Sequence, residues 1–162
     1  MIRLLNLFHR VGLLRPAPVL QKQESPRQDD AARVTRLTVE RLSEDETLRG
    51  TLTDAGFAQV IGFVSGIVPP AVERAMREST ADEAEETVSH AARGLARAIT
   101  SAAESGDTTG VAQVLTPAIV AGDAVDFIRS ALPATLPDDM TADERARTLV
   151  ETLSGAINGA CE

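Results

Sequence analysis

The chain has 162 residues and a formal net charge of −8; 43% of it is hydrophobic and 25% charged, with four Phe and no Trp or Tyr. That length suits one domain with a substantial core, while so few aromatic faces disfavour base-stacking platforms and sugar clefts. The single cysteine, Cys161, excludes an internal disulfide and a cysteine-based metal cluster, and a reducing cytoplasm is the simplest home.

The charge is unevenly spread. Residues 1–27 carry five basic groups against Glu24, a balance of +4, which leaves −12 on the other 135 residues. The pattern is a basic arm on an acidic body. Fifteen of the 16 basic residues are Arg, which we read as a GC-rich, bacterial-like coding bias.

Met1 to Arg15 reads as an amphipathic helix. Leu4, Leu7, Phe8, Val11 and Leu14 share one face, and Arg3, Asn6, His9 and Arg10 the other. Arg3, His9 and Arg10 interrupt the apolar run, so it is no secretory signal. Three roles suit such an arm: packing on the body, docking in a partner protein's groove, or lying on an anionic membrane surface. Residues 16–28 read as a linker, because Pro16, Pro18 and Pro26 block helix and no apolar period runs through them. The helical body then spans residues 29–162. Asp29-Asp30 open its first helix, predicted to reach about Leu48, with Val34, Leu37 and Leu42 inward and Gly50 as terminator.

The most apolar stretch follows: eighteen residues, Ala55 to Val72, carry no formal charge. Thr53 or Asp54 can cap a helix there, and Pro69-Pro70 is expected to end or kink it. Phe57, Val60, Ile61, Val64, Ile67 and Val68 fall on one face at helical spacing, which predicts a buried central helix. Ala58, Gly62 and Gly66 form a neighbouring stripe of small residues, expected to let another helix pack closely. A straight segment ending at the prolines is roughly 22 Å long, short of a ~30 Å hydrocarbon core, which favours a core helix over a membrane span. Ile61, Gly62, Gly66, Ile67, Val72 and Ala75 also resemble the spacing of a helix-turn-helix over residues 57–78. That region is not basic, as phosphate binding requires, so nucleic acid is disfavoured.

Pro70 to Glu78 reads as a separate short helix. Thr80 and Glu83 make a capping box that opens a helix to about Glu104, and Ser105-Gly106 ends it. A second uncharged run, Thr108 to Gly122, contains Ala112-Gln113-Val114-Leu115, an echo of Ala58-Gln59-Val60-Ile61. Thr141 and Glu144 repeat the capping box before a last helix. The fold class expected is all-α: a compact bundle of about six helices, readable as two copies of a three-helix unit, with an amphipathic N-terminal arm.

Chemistry is sparse. The chain has no Gly-rich phosphate loop, nucleophile elbow or zinc-ligand spacing. Glu83, Glu86 and His90 share one helix, but a di-iron bundle needs Glu-x-x-His on two helices, so a solvated face is the better reading. Asp138-Asp139 reads as loop solvation. No catalytic residue, metal or cofactor is expected. The function expected is a non-catalytic interaction or scaffold protein that docks a protein partner through Leu4, Leu7, Phe8, Val11 and Leu14, with Arg3, Arg10 and Arg15. Peripheral attachment to the inner membrane face is the first alternative, a helix-turn-helix regulator the second, and a homo-oligomer stays open.

Overall fold

The computed structural model describes residues 26–161. The first helix, α1, spans Pro26–Glu44. Proline suits a first helical position because the N–H it lacks would have no partner there, so the helix takes in three residues expected in the linker. Val34, Thr38 and Leu42, four apart, are its buried stripe. The helix stops before the expected Leu48 because the Asp45 carboxylate accepts the Thr47 N–H at 3.0 Å. That bond starts a separate 3-10 turn, Glu46–Leu48, whose Leu48 plugs the core. Gly50 then reverses the chain at φ +53°, in the left-handed region.

Helix α2 spans Asp54–Glu78, with Thr53 capping it by accepting the Gly56 N–H at 3.3 Å. It runs unbroken through Pro69-Pro70, so the two helices expected on either side of the prolines are one. The turn that a helix-turn-helix needs at Gly66 is a helical turn instead. Magnitudes explain the outcome. An interior proline costs about 3 kcal/mol, whereas fully burying one valine contributes about 1.5–3 kcal/mol, and Val60, Val64, Val68 and Val72 are all essentially fully buried. Gly66, Pro69 and Pro70 themselves face outward.

Helix α3 spans Ala81–Ser105, opened by the Thr80/Glu83 capping box and closed by Gly106 at φ 80°. It packs against α1, α2 and two later helices, α4 (Thr109–Val114) and α6 (Ala142–Ala160). The hub of the body is therefore α3, with Val88, Ala92, Leu95, Ile99 and Ala103 fully buried, and not α2 as its composition predicted. The remaining helix, α5, spans Val125–Ala131 and packs on α6. The fold is all-α, as expected: six α-helices among the described residues, with only one isolated β-bridge, Asp107 to Thr135.

The expected three-helix repeat does not appear. The first uncharged run makes a helix of 25 residues, the second one of 6. Thr116 to Ala124 is turn structure ahead of α5. Pro117 falls where that run would need helix, and Leu115, Ile119 and Val120 bury themselves from a non-helical backbone instead.

Candidate functional site

The segment that leads into α2, Leu48 to its N-cap Thr53, is held by polar ties from other helices. The buried Thr100 hydroxyl of α3 donates to the Leu48 carbonyl at 2.9 Å. One turn along, the Glu104 carboxylate accepts the Thr51 N–H at 2.8 Å. On α6, Asp143 accepts the Thr53 N–H at 3.0 Å and also its hydroxyl. These bonds hold the Asp143 carboxyl below the usual carboxylate range. Gly56 makes that approach possible, since a Cβ there would collide with the Asp143 carboxylate.

The outward face of α2 is uncovered among the described residues. From Ala55 to Pro70 its outward face presents Ala58, Gln59, Gly62, Gly66 and Pro69, all exposed and none charged. Among the described residues, a Cβ added at Gly62 or Gly66 would meet nothing within 4 Å. This corrects the expectation of close helix packing by Ala58, Gly62 and Gly66. The helix buries its valine stripe against α1, α3 and α6, which leaves the small stripe without a neighbour among the described residues. Phe63 and Ile67, half-buried, form one edge of the face.

Beside the far end of this face, a groove of about 1030 Å³ runs between α1 and α2. Arg27, Asp29 and Arg36 of α1 face Pro69, Glu73 and Met76 of α2 across it. The α1 N-terminus, where residues 1–25 join the body, lies at this groove. The expected docking residues of the arm (Leu4, Leu7, Phe8, Val11, Leu14, Arg3, Arg10 and Arg15) and most of the linker lie outside the described residues.

By length and composition α2 could cross a membrane, with a mean hydropathy of 1.6. The proline pair does not shorten it, so the length argument against a span does not hold. Its packing is what ties it to the body, since 39% of that apolar window is buried against other helices.

The other polar candidates are structural. Glu83 belongs to the α3 capping box, while Glu86 and His90 are exposed on the rim of a shallow cleft of about 530 Å³ beside Val114 and Ala118. Among the described residues no three of His, Cys, Asp and Glu converge to hold a metal. Asp138 and Asp139 are exposed, and the Asp138 carbonyl accepts from Arg145 at 3.2 Å. Every carboxyl held low is engaged by a threonine in a cap or turn: Asp45 by Thr47, Asp107 by Thr109, Asp143 by Thr53 and Glu144 by Thr141.

Three arginines escaped the sequence reading. Arg145 is 9% exposed and donates to the carbonyls of Pro137, Ala103, Glu104 and Asp138, at 3.0 to 3.3 Å. It thereby satisfies carbonyls that the end of α3 leaves without intrahelical partners. Arg129 does the same for α4, donating to Ala112 at 2.9 Å and Leu115 at 2.7 Å. Arg74, on α2, has Nε and one terminal nitrogen buried with no hydrogen-bond partner among the described residues. Burial pushes its guanidinium below the ordinary range, Arg77 adds to that shift and Asp123 opposes it. In sequence an arginine of this kind looks like any solvated one. No known protein family, curated protein or solved structure matches this chain.

Proposed function

We propose that this protein is a non-catalytic interaction or scaffold protein, which docks a protein partner through its basic amphipathic arm. One observation carries the reading. The outward face of α2 is uncharged from Ala55 to Pro70, whereas the exposed residues of α1 and α3 are rich in Arg, Asp and Glu. A partner can cover such a face without desolvating a charged group of α2.

The arm brings the second half of the apparatus. Leu4, Leu7, Phe8, Val11 and Leu14 supply anchors at helical spacing, with Arg3, Arg10 and Arg15 to meet an acidic groove. The partner expected is a protein with an apolar groove rimmed by carboxylates. The same arm favours a second reading, attachment to an anionic membrane surface, since no acid precedes Glu24.

Both readings meet one pair of measurements on the full chain, wild type against a Leu7→Asp, Phe8→Asp double variant. Affinity capture from cell extract should retrieve a protein with wild type that the double variant loses. Flotation with vesicles, neutral or containing anionic lipid, tests the membrane reading. Binding that needs anionic lipid and vanishes in the double variant would transfer the function to the membrane. Identical capture by both chains, with no vesicle binding, would remove the arm from either role.

A further inference from the structure

We propose that the polar cleft between α1 and α3 binds a primary ammonium group, held by the Ser89 hydroxyl and the carboxylates of Asp82, Glu85 and Glu86. The site is separate from the arm and from the outward face of α2, and its test depends on neither.

The first observation is a buried hydroxyl that opens into the cleft. Ser89 is 7% exposed and lines a cleft of about 450 Å³. A serine inside a helix commonly returns its hydroxyl to the carbonyl one turn back. Ser43, Ser79 and Ser105 do so here, donating to Val39, Ala75 and Ser101 at 2.8 to 3.0 Å. The Ser89 hydroxyl makes no such bond among the described residues. Nor is its oxygen sealed in the core, as those of Thr38 and Ser65 are. It stays available to a group that enters the cleft.

The second is the set of acceptors around that hydroxyl. Asp82, Glu85 and Glu86 precede Ser89 by seven, four and three residues, which puts all four on one face of α3. Across the cleft Arg41 of α1 meets Oε1 of Glu85 at 2.7 Å, which leaves the other oxygen of that carboxylate for a ligand. Arg93, at the far end, is turned to Asp45 at 3.5 Å. Both guanidinium groups of the cleft are therefore committed. Asp82 and Glu86 are exposed and form no ion pair among the described residues.

These commitments select the ligand. An anion would face three carboxylates with both cations already paired. A divalent metal needs ligands that converge, and among the described residues no three of His, Cys, Asp and Glu do. A guanidinium presents its donors as a rigid planar fork. An ammonium is compact and carries three donors that rotate freely, which suits single oxygens on successive helical turns. The ammonium can belong to a small free amine or to a lysine side chain, since both present the same head group.

The test is an NMR titration of the ¹⁵N-labelled full chain with n-butylammonium, read at the amides of residues 82–93 and at the ring of His90, which stands exposed in the cleft lining. We expect saturable shifts confined to the cleft. Tetramethylammonium carries the same charge without an N–H donor and should cause no saturable shift. Ser89→Ala should weaken n-butylammonium binding about 2- to 10-fold, the range of one hydrogen bond. Glu86→Gln should weaken it as well, and both variants should keep the helical circular dichroism of wild type. Titration with Nα-acetyl-lysine amide distinguishes the sources: tighter binding than n-butylammonium assigns the site to a partner's lysine, weaker binding to a free amine. An absence of saturable shifts would overturn the proposal. So would equal shifts with tetramethylammonium, which would reduce the effect to diffuse attraction, or wild-type affinity in Ser89→Ala.

Discussion

The Arg145 guanidinium donates to the Glu104 carbonyl at 3.1 Å, so a side chain of α6 closes the last turn of α3. The same group reaches the Ala103, Pro137 and Asp138 carbonyls. Among the described residues, no carboxylate contributes to the arrangement. Removing the guanidinium strands several carbonyls at once, each worth about 1–3 kcal/mol when buried and unpaired. Arg145→Ala should therefore cost roughly 3 kcal/mol in urea unfolding. Arg145→Lys should recover only part of that, because an ammonium cannot span the fork of acceptors. A lysine variant as stable as wild type would mean that charge alone suffices.

Asp143 couples α6 to α2 in a pH-dependent way. Its carboxyl is held low by the Thr53 hydroxyl and amide. A depressed folded pKa stabilises fully above the unfolded value near 3.8, and that contribution is lost as pH falls through the folded pKa. Asp45, Asp107 and Glu144 are shifted the same way. Tm should therefore drop as pH falls below about 4. Asp143→Asn should lower Tm at neutral pH and flatten the acid limb of the curve. Parallel Tm-versus-pH curves for the two proteins would contradict the Asp143–Thr53 assignment.

The glycines divide into two groups with opposite expected signs. At Gly62 and Gly66 a Cβ meets none of the described residues within 4 Å, so Gly62→Ala and Gly66→Ala should each stabilise by up to about 1 kcal/mol through helix propensity. Gly56→Ala should destabilise by roughly 1–3 kcal/mol, since the methyl must displace Asp143. Gly50→Ala should also destabilise, because the residue sits at φ +53° and its Cβ would strike Thr100 and Glu104. Chemical denaturation of the four variants separates the groups.

The prolines of α2 are tolerated by the fold and do not define it. Pro70→Ala restores an N–H within bonding reach of the Gly66 carbonyl and should stabilise the protein, by about 1–3 kcal/mol. The measurement is again denaturant unfolding, with an unchanged m-value expected. Destabilisation would mean that the proline ring makes packing contacts that outweigh the missing bond.

Local signals were the legible part of this chain. The capping boxes at Thr80/Glu83 and Thr141/Glu144 each close within four residues, and both stand where the sequence places them. The valines of α2 repeat at helical spacing, so their burial could be read too. Long-range features were not legible. Thr53 and Asp143 are ninety residues apart, and nothing local pairs them. Arg145 has the same neighbours in sequence as an exposed arginine. For Gly62 and Gly66, both flanks of α2 are apolar, so composition could not say which flank the core would take. The proline pair misled because the penalty is local, whereas the valine burial that outweighs it comes from other helices.

The Asp143–Thr53 tie also bears on the order in which the body assembles. Helices α1, α2 and α3 are consecutive in the chain and can pair through short connections. The α6 helix joins them only after most of the chain is available, and closing so long a loop carries a larger entropic cost. Until it docks, α2 lacks the helix that covers its N-terminal turn, and core surface meant for α6 stands uncovered beside the outward face. During synthesis, helices α1 to α3 leave the ribosome before α6. In that interval the nascent chain exposes its most apolar helix on two sides at once, which makes α6 docking the step that ends its exposure to aggregation.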